Sequence, residues 1–99
     1  MDKNYKETVQ FFKALADETR LEIIDMLFNG ELCACKILKN FDITQPTLSY
    51  HMKILTECGL VNSRRDGAWM RYSLKPDITE TVRNLCDFCE KAKAQNAKQ

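Results

Sequence analysis

The 99-residue chain contains no run of about 18 apolar residues, so no transmembrane helix is expected. Its first residues, Met1 to Lys6, are charged and lack the apolar centre that a signal peptide needs. The expected compartment is therefore the cytoplasm, with no membrane partner. Glycine is scarce, at 3 residues, and no Gly-rich phosphate loop is present. The single histidine, His51, has no serine and acid at catalytic spacing, so no enzyme and no organic cofactor are expected. Repeats, low-complexity tracts and linkers are absent, and the length suits one domain spanning residues 1–99.

Cysteine is what the chain does have, with 5 residues. In a reducing compartment a stable disulfide framework is not expected, and an odd count leaves at least one thiol unpaired within a monomer. Free thiols, metal ligation and redox sensing remain open. The net charge of +1 hides an uneven distribution. Residues 1–43 hold 6 basic and 8 acidic side chains (−2), residues 44–75 hold 5 and 2 (+3), and residues 76–99 hold 4 and 4. The positive excess lies in one central block, as a nucleic-acid site requires.

The periodicity predicts five helices and one hairpin. Tyr5, Val9, Phe12 and Ala16 recur at spacings of 4, 3 and 4, a helical stripe. Asp17 suits the N-cap of a second helix, whose apolar face is Leu21, Ile23, Ile24, Leu27 and Phe28 and whose end is Asn29-Gly30. A short third helix is expected over Leu32 to Asn40. The fourth opens at Thr44, with Pro46 in the first turn, and buries Leu48, Met52 and Leu55. At about 100° per residue, Pro46, Ser49, Tyr50 and Lys53 lie on the opposite, outward face. His51 falls at the boundary, as a packing residue. Cys58-Gly59 ends the helix.

Leu60 to Leu74 reads as a β-hairpin around Asp66-Gly67. This places Arg65 opposite Ala68, Ser63 opposite Met70 and Val61 opposite Tyr72, with Arg64 beside Trp69 and Asn62 beside Arg71 on the other face. Arg64 is then able to stack on Trp69. Pro76-Asp77 opens a last helix with the stripe Ile78, Val82, Leu85 and Cys89.

The fold class expected is mostly α with a small β-hairpin: a winged helix-turn-helix of about five helices and a two-stranded wing. A helix with an outward polar face suits the DNA major groove. Gln45, Ser49 and Tyr50 are the candidate base-reading residues, Thr47 is a further DNA-binding candidate, and Lys53 suits phosphate. Arg64, Arg65 and Arg71 on the wing suit neighbouring phosphates or the minor groove.

The sequence resembles the ArsR/SmtB family of winged-helix metalloregulators, with the arsenic-responsive repressors as the nearest type. The resemblance rests on residues 14–21 (ALADETRL), 31–35 (ELCAC), 45–55 (QPTLSYHMKIL) and 58–61 (CGLV). It implies a homodimer joined through the first and last helices. It also implies repression of an operon, relieved when a metal or metalloid binds. The partner would be double-stranded operator DNA with an inverted repeat, its half-sites about 34–36 Å apart or a multiple of that.

The stretch Glu31-Leu32-Cys33-Ala34-Cys35 resembles the inducer site of the arsenic-responsive members. Soft thiolates suit arsenite or antimonite, with cadmium, lead or zinc as alternatives. The family pattern has a third cysteine where this chain has Leu38. Residues two apart on a helix point about 200° from each other, so Cys33 and Cys35 are expected to grip one ion only if the helix start unwinds. Cys86 and Cys89, at i and i+3, form a second candidate pair, and Cys58 ranks behind both. A thiol redox sensor on the same scaffold is an alternative, as is a structural zinc module built from the two pairs.

Overall fold

The computed structural model describes residues 5–77 and Lys91. Helix α1 (Tyr5–Leu15) buries Phe11 and Ala14. The stripe read from the sequence is its outward face: Tyr5, Val9 and Phe12 are 64%, 49% and 44% exposed. Ala16 lies past the helix end and is exposed as well. Helix α2 (Glu18–Leu27) begins where expected. Asp17 has extended backbone angles, and its carboxylate accepts the Arg20 N–H at 3.0 Å. This satisfies one of the donors left over at any helix start. The buried face of α2 is Ile23, Ile24 and Leu27, narrower than the sequence suggested, because Leu21 and Phe28 stay exposed.

The third element departs most from expectation. In place of a helix from Leu32 there is a two-residue strand, β1 (Leu32–Cys33), followed by α3 (Ala34–Leu38). Leu32 pairs with Tyr72 and Cys33 with Arg71, so ladder pairing takes up the backbone that a longer helix would have used. Cys33 is then both the end of a strand and the N-cap of α3, at φ −71° and ψ 143°.

Helix α4 (Gln45–Glu57) is capped by Thr44, whose hydroxyl oxygen accepts the Thr47 N–H at 3.3 Å. Pro46 falls in the first turn, where a missing donor does no harm. Leu48, Met52 and Leu55 are buried, as read from the spacing, together with His51. The helix ends in a Schellman motif: the Leu60 N–H reaches the Leu55 carbonyl at 3.2 Å, and the Gly59 N–H reaches that of Thr56 at 3.2 Å. Gly59 takes φ +89°, where a side chain would be strained.

Strands β2 (Val61–Asp66) and β3 (Trp69–Leu74) form the wing. Their register pairs Val61 with Leu74, Ser63 with Tyr72, Arg64 with Arg71, Arg65 with Met70 and Asp66 with Trp69. The turn is therefore Gly67-Ala68, one residue later than expected. Of these two residues, only Gly67 has positive φ (+65°), which matches a turn needing glycine at its first central position alone. The sheet has three antiparallel strands in the order β1-β3-β2, since β1 adds to the two-stranded wing. One core joins helices and sheet, with Ile23, Ile37, Met52, Leu55, Leu60 and Val61 fully buried. The expected last helix, from Ile78 on, and the Cys86/Cys89 pair fall outside the described residues.

Candidate nucleic-acid interface and thiol pair

The outward face of α4 carries Gln45, Thr47, Ser49, Tyr50 and Lys53, all exposed. Thr47 is partly committed to the cap, for its hydroxyl oxygen accepts from the Thr44 hydroxyl at 3.0 Å. Tyr50 stands edge-on to the His51 ring, with centroids 5.6 Å apart. Its neighbour is held from below. The Arg20 guanidinium reaches His51 Nδ1 at 3.0 Å and donates to the carbonyls of Ala14 at 2.6 Å and Lys13 at 3.3 Å. Arginine only donates, so Nδ1 accepts and the ring proton belongs on Nε2. Arg20 thus ties the end of α1 to the middle of the reading helix. Residue patterning did not single it out, although it lies inside the 14–21 stretch that carries the family resemblance.

On the wing, Arg64, Arg65, Trp69 and Arg71 share the exposed region, with Arg71 half-buried. Arg64 does not stack on Trp69, as the sequence had suggested. Its guanidinium forks onto Glu31, with Nε to Oε2 at 2.8 Å and Nη2 to Oε1 at 2.7 Å. The one-residue displacement of the turn puts Asp66, not Arg64, opposite Trp69. Arg71 donates to the Asp66 carboxylate at 2.7 Å. These contacts hold the Glu31 and Asp66 carboxyls below the usual range, through the hydrogen bond first and the arginine charge second.

The thiol pair lies on the same sheet. Cys33 Sγ and Cys35 Sγ are 2.8 Å apart. The expected need for helix unwinding is overturned. Cys33 precedes α3 in extended conformation, so its side chain folds back over the first turn and meets Cys35. The Cys35 N–H also points at Cys33 Sγ, at 3.4 Å. The Cys35 thiol hydrogen bond, more than any other contact, pulls the Cys33 thiol below its ordinary pKa, and the same contact pushes Cys35 up. Of the two thiols, Cys33 is therefore the readier to ionise. Across the sheet, Cys33, Arg71 and Arg64 are successive cross-strand partners, and the Arg71 charge adds a smaller lowering at Cys33.

Cys58 is separately occupied: its thiol donates to the Leu55 carbonyl at 3.4 Å, and burial raises its pKa. Among the described residues, no three of His, Cys, Asp or Glu converge on a point where they could hold one metal ion.

The model of the bacterial regulatory protein, arsR family, matches residues 17–63, from the cap of α2 into β2. The arsenical resistance operon repressor of Staphylococcus aureus is 47% identical over 79 residues, covering 80% of this chain and 76% of that one. The chain belongs to the ArsR family. The arsenical resistance operon repressor of Escherichia coli is 42% identical over 91 residues, covering 88% of this chain and 78% of its own. Among solved structures, an ArsR-like transcriptional regulator from Rhodococcus sp. RHA1 superposes with a TM-score of 0.78 at 29% identity, over 94% of this chain and 89% of the other. An ArsR-family protein is a transcriptional repressor and not an enzyme, and helix-turn-helix regulators of this kind bind DNA. No helix among the described residues is long and apolar enough to cross a membrane.

Proposed function

We propose that this ArsR-family protein is a cytoplasmic homodimer that occupies an inverted-repeat operator and leaves it when arsenite or antimonite binds Cys33 and Cys35. The observation that carries the inducer half is the 2.8 Å sulfur–sulfur contact between Cys33 and Cys35. A trivalent metalloid bonds to sulfur atoms that lie side by side, and soft thiolates suit it. The two sulfurs lie side by side as folded, and each would replace one hydroxide on the metalloid, its thiol proton leaving with that hydroxide as water. A third sulfur would come from Cys86 or Cys89. The names of the Staphylococcus and Escherichia relatives support arsenic as the element. Cadmium, lead and zinc stay as alternatives on the same thiolates.

For the DNA half, Gln45, Thr47, Ser49 and Tyr50 enter the major groove, while Lys53, Arg64, Arg65 and Arg71 meet phosphates. The exposed apolar stripe of α1 supports a dimer, because a second copy would cover it. Sulfur counting by arsenic X-ray absorption on the reduced protein tests the inducer site. In a Cys86→Ser, Cys89→Ser double variant, two arsenic–sulfur bonds should remain. Loss of both would place the site away from Cys33 and Cys35.

The same sulfur contact favours one second reading. An oxidant that removes two electrons and two protons from the pair would close a disulfide, making the protein a redox-responsive repressor.

A further inference from the structure

Glu31 lies two residues before Cys33, and side chains alternate along an extended segment, so both belong to one face of the sheet. Cys33, Arg71 and Arg64 form one cross-strand row on that face. Arg64 on β2 therefore reaches over β3 to meet Glu31, and it does so with two parallel hydrogen bonds at 2.8 and 2.7 Å. This is the geometry with which a guanidinium grips a phosphate. The contact is open to solvent, with side chains 57% and 33% exposed for Arg64 and Glu31. The Arg65 side chain, by contrast, makes no hydrogen bond or ion pair with another described residue.

We propose that Glu31 is an internal competitor of DNA phosphate for Arg64, and so limits the strength and the salt dependence of DNA binding. An arginine already neutralised by a carboxylate displaces no counterions when DNA approaches, so it adds nothing to the electrostatic part of affinity. To engage phosphate, Arg64 has to leave Glu31. Glu31 thus acts through Arg64, as a positioning residue for DNA binding. The inference rests on the wing reading given under Proposed function.

The test measures anisotropy of a labelled duplex of the protein's own promoter, and of an unrelated duplex, against rising KCl. Wild type, Glu31→Gln, Arg64→Gln and the double variant are compared. Glutamine keeps the size of Glu31 and removes its charge. Glu31→Gln should tighten binding to both duplexes by roughly fivefold to tenfold at 0.1 M salt, and should steepen the salt slope by about one unit for each wing on DNA. Both gains should vanish in the double variant. Unchanged or weaker binding by Glu31→Gln overturns the proposal. An equal gain in the double variant also overturns it, because Glu31 would then be acting as a plain negative charge and not through Arg64. The wing reading itself fails on a separate arm: Arg65→Ala, which leaves the Glu31–Arg64 pair intact, would change neither affinity nor salt slope on either duplex.

Discussion

Cys33 stands at the junction of β1 and α3, and that position changes what a Cys-x-Cys spacing means. On a continuous helix the two thiols diverge; with the first one outside the helix, they touch at 2.8 Å. The cysteines themselves were legible in the sequence, through the resemblance of residues 31–35. Their geometry was not, because a two-residue strand leaves no periodic signal and exists only through its pairing with β3, some forty residues on. Asp17 is the opposite case, legible from residue type and position alone. Its carboxyl is held below the usual range first by the Arg20 N–H and then by the Arg20 charge. A lowered carboxyl stabilises the fold above its unfolded pKa of about 4, and that contribution fades as pH falls through the lower folded value. Asp17→Ala should cost about 1 kcal/mol at neutral pH. In urea melts, the gap between wild type and variant should shrink below about pH 4. A gap that is constant from neutral to acid pH would remove the carboxylate from the cap.

At the scale of elements, the wing shows why a wrong register can still give the right faces. The turn proved to be Gly67-Ala68 in place of Asp66-Gly67, so every cross-strand partner moved by two residues. Side chains alternate with a period of two, and a shift of two leaves each on its original face; a shift of one would have inverted the wing. Val61 and Tyr72 are buried and Arg64 and Trp69 exposed, as the earlier register also required. What that register could not supply was the partner of Arg64, because Glu31 comes from a distant segment. Helix α4 was legible throughout: cap, proline, buried stripe and stop all agree. Tyr50→Ala should weaken operator binding by about 1–3 kcal/mol, with less effect on unrelated DNA. Arg65→Ala should weaken both alike and flatten the salt slope by about one unit per lost contact. If Tyr50→Ala weakened both duplexes equally, Tyr50 would be a backbone contact and not a reader of bases.

For the whole molecule, the informative surface is the one that a single chain leaves unburied. Of the 4-3-4 stripe, Tyr5, Val9 and Phe12 lie on α1 and Ala16 falls just past its end, and the stripe is not the core-facing side of that helix. Phe11 and Ala14 fill that role, and Tyr5, Val9 and Phe12 look outward. Sequence periodicity reports that a face is apolar, not what covers it. A twofold partner would do so, and the resemblance to dimeric regulators gave the same answer by another route. Phe12→Glu places a charge in that stripe; it removes the edge-on ring contact with Phe11 (centroids 6.1 Å) but leaves the buried Phe11 and Ala14 side chains unchanged. It should shift the protein to monomer in sedimentation velocity and sharply reduce operator affinity, while the thermal transition of the monomer stays cooperative. A variant that remains dimeric would move the interface off α1.

The central claim joins the two halves of the molecule: metalloid at Cys33 and Cys35 releases DNA held by α4 and the wing. It is tested most directly by fluorescence anisotropy of the reduced protein bound to its own promoter DNA, titrated with arsenite. Wild type should release the DNA, while Cys33→Ser and Cys35→Ser should each hold it at arsenite concentrations that empty the wild-type complex. Release that persists in both variants, or release by peroxide with none by arsenite, would contradict the claim.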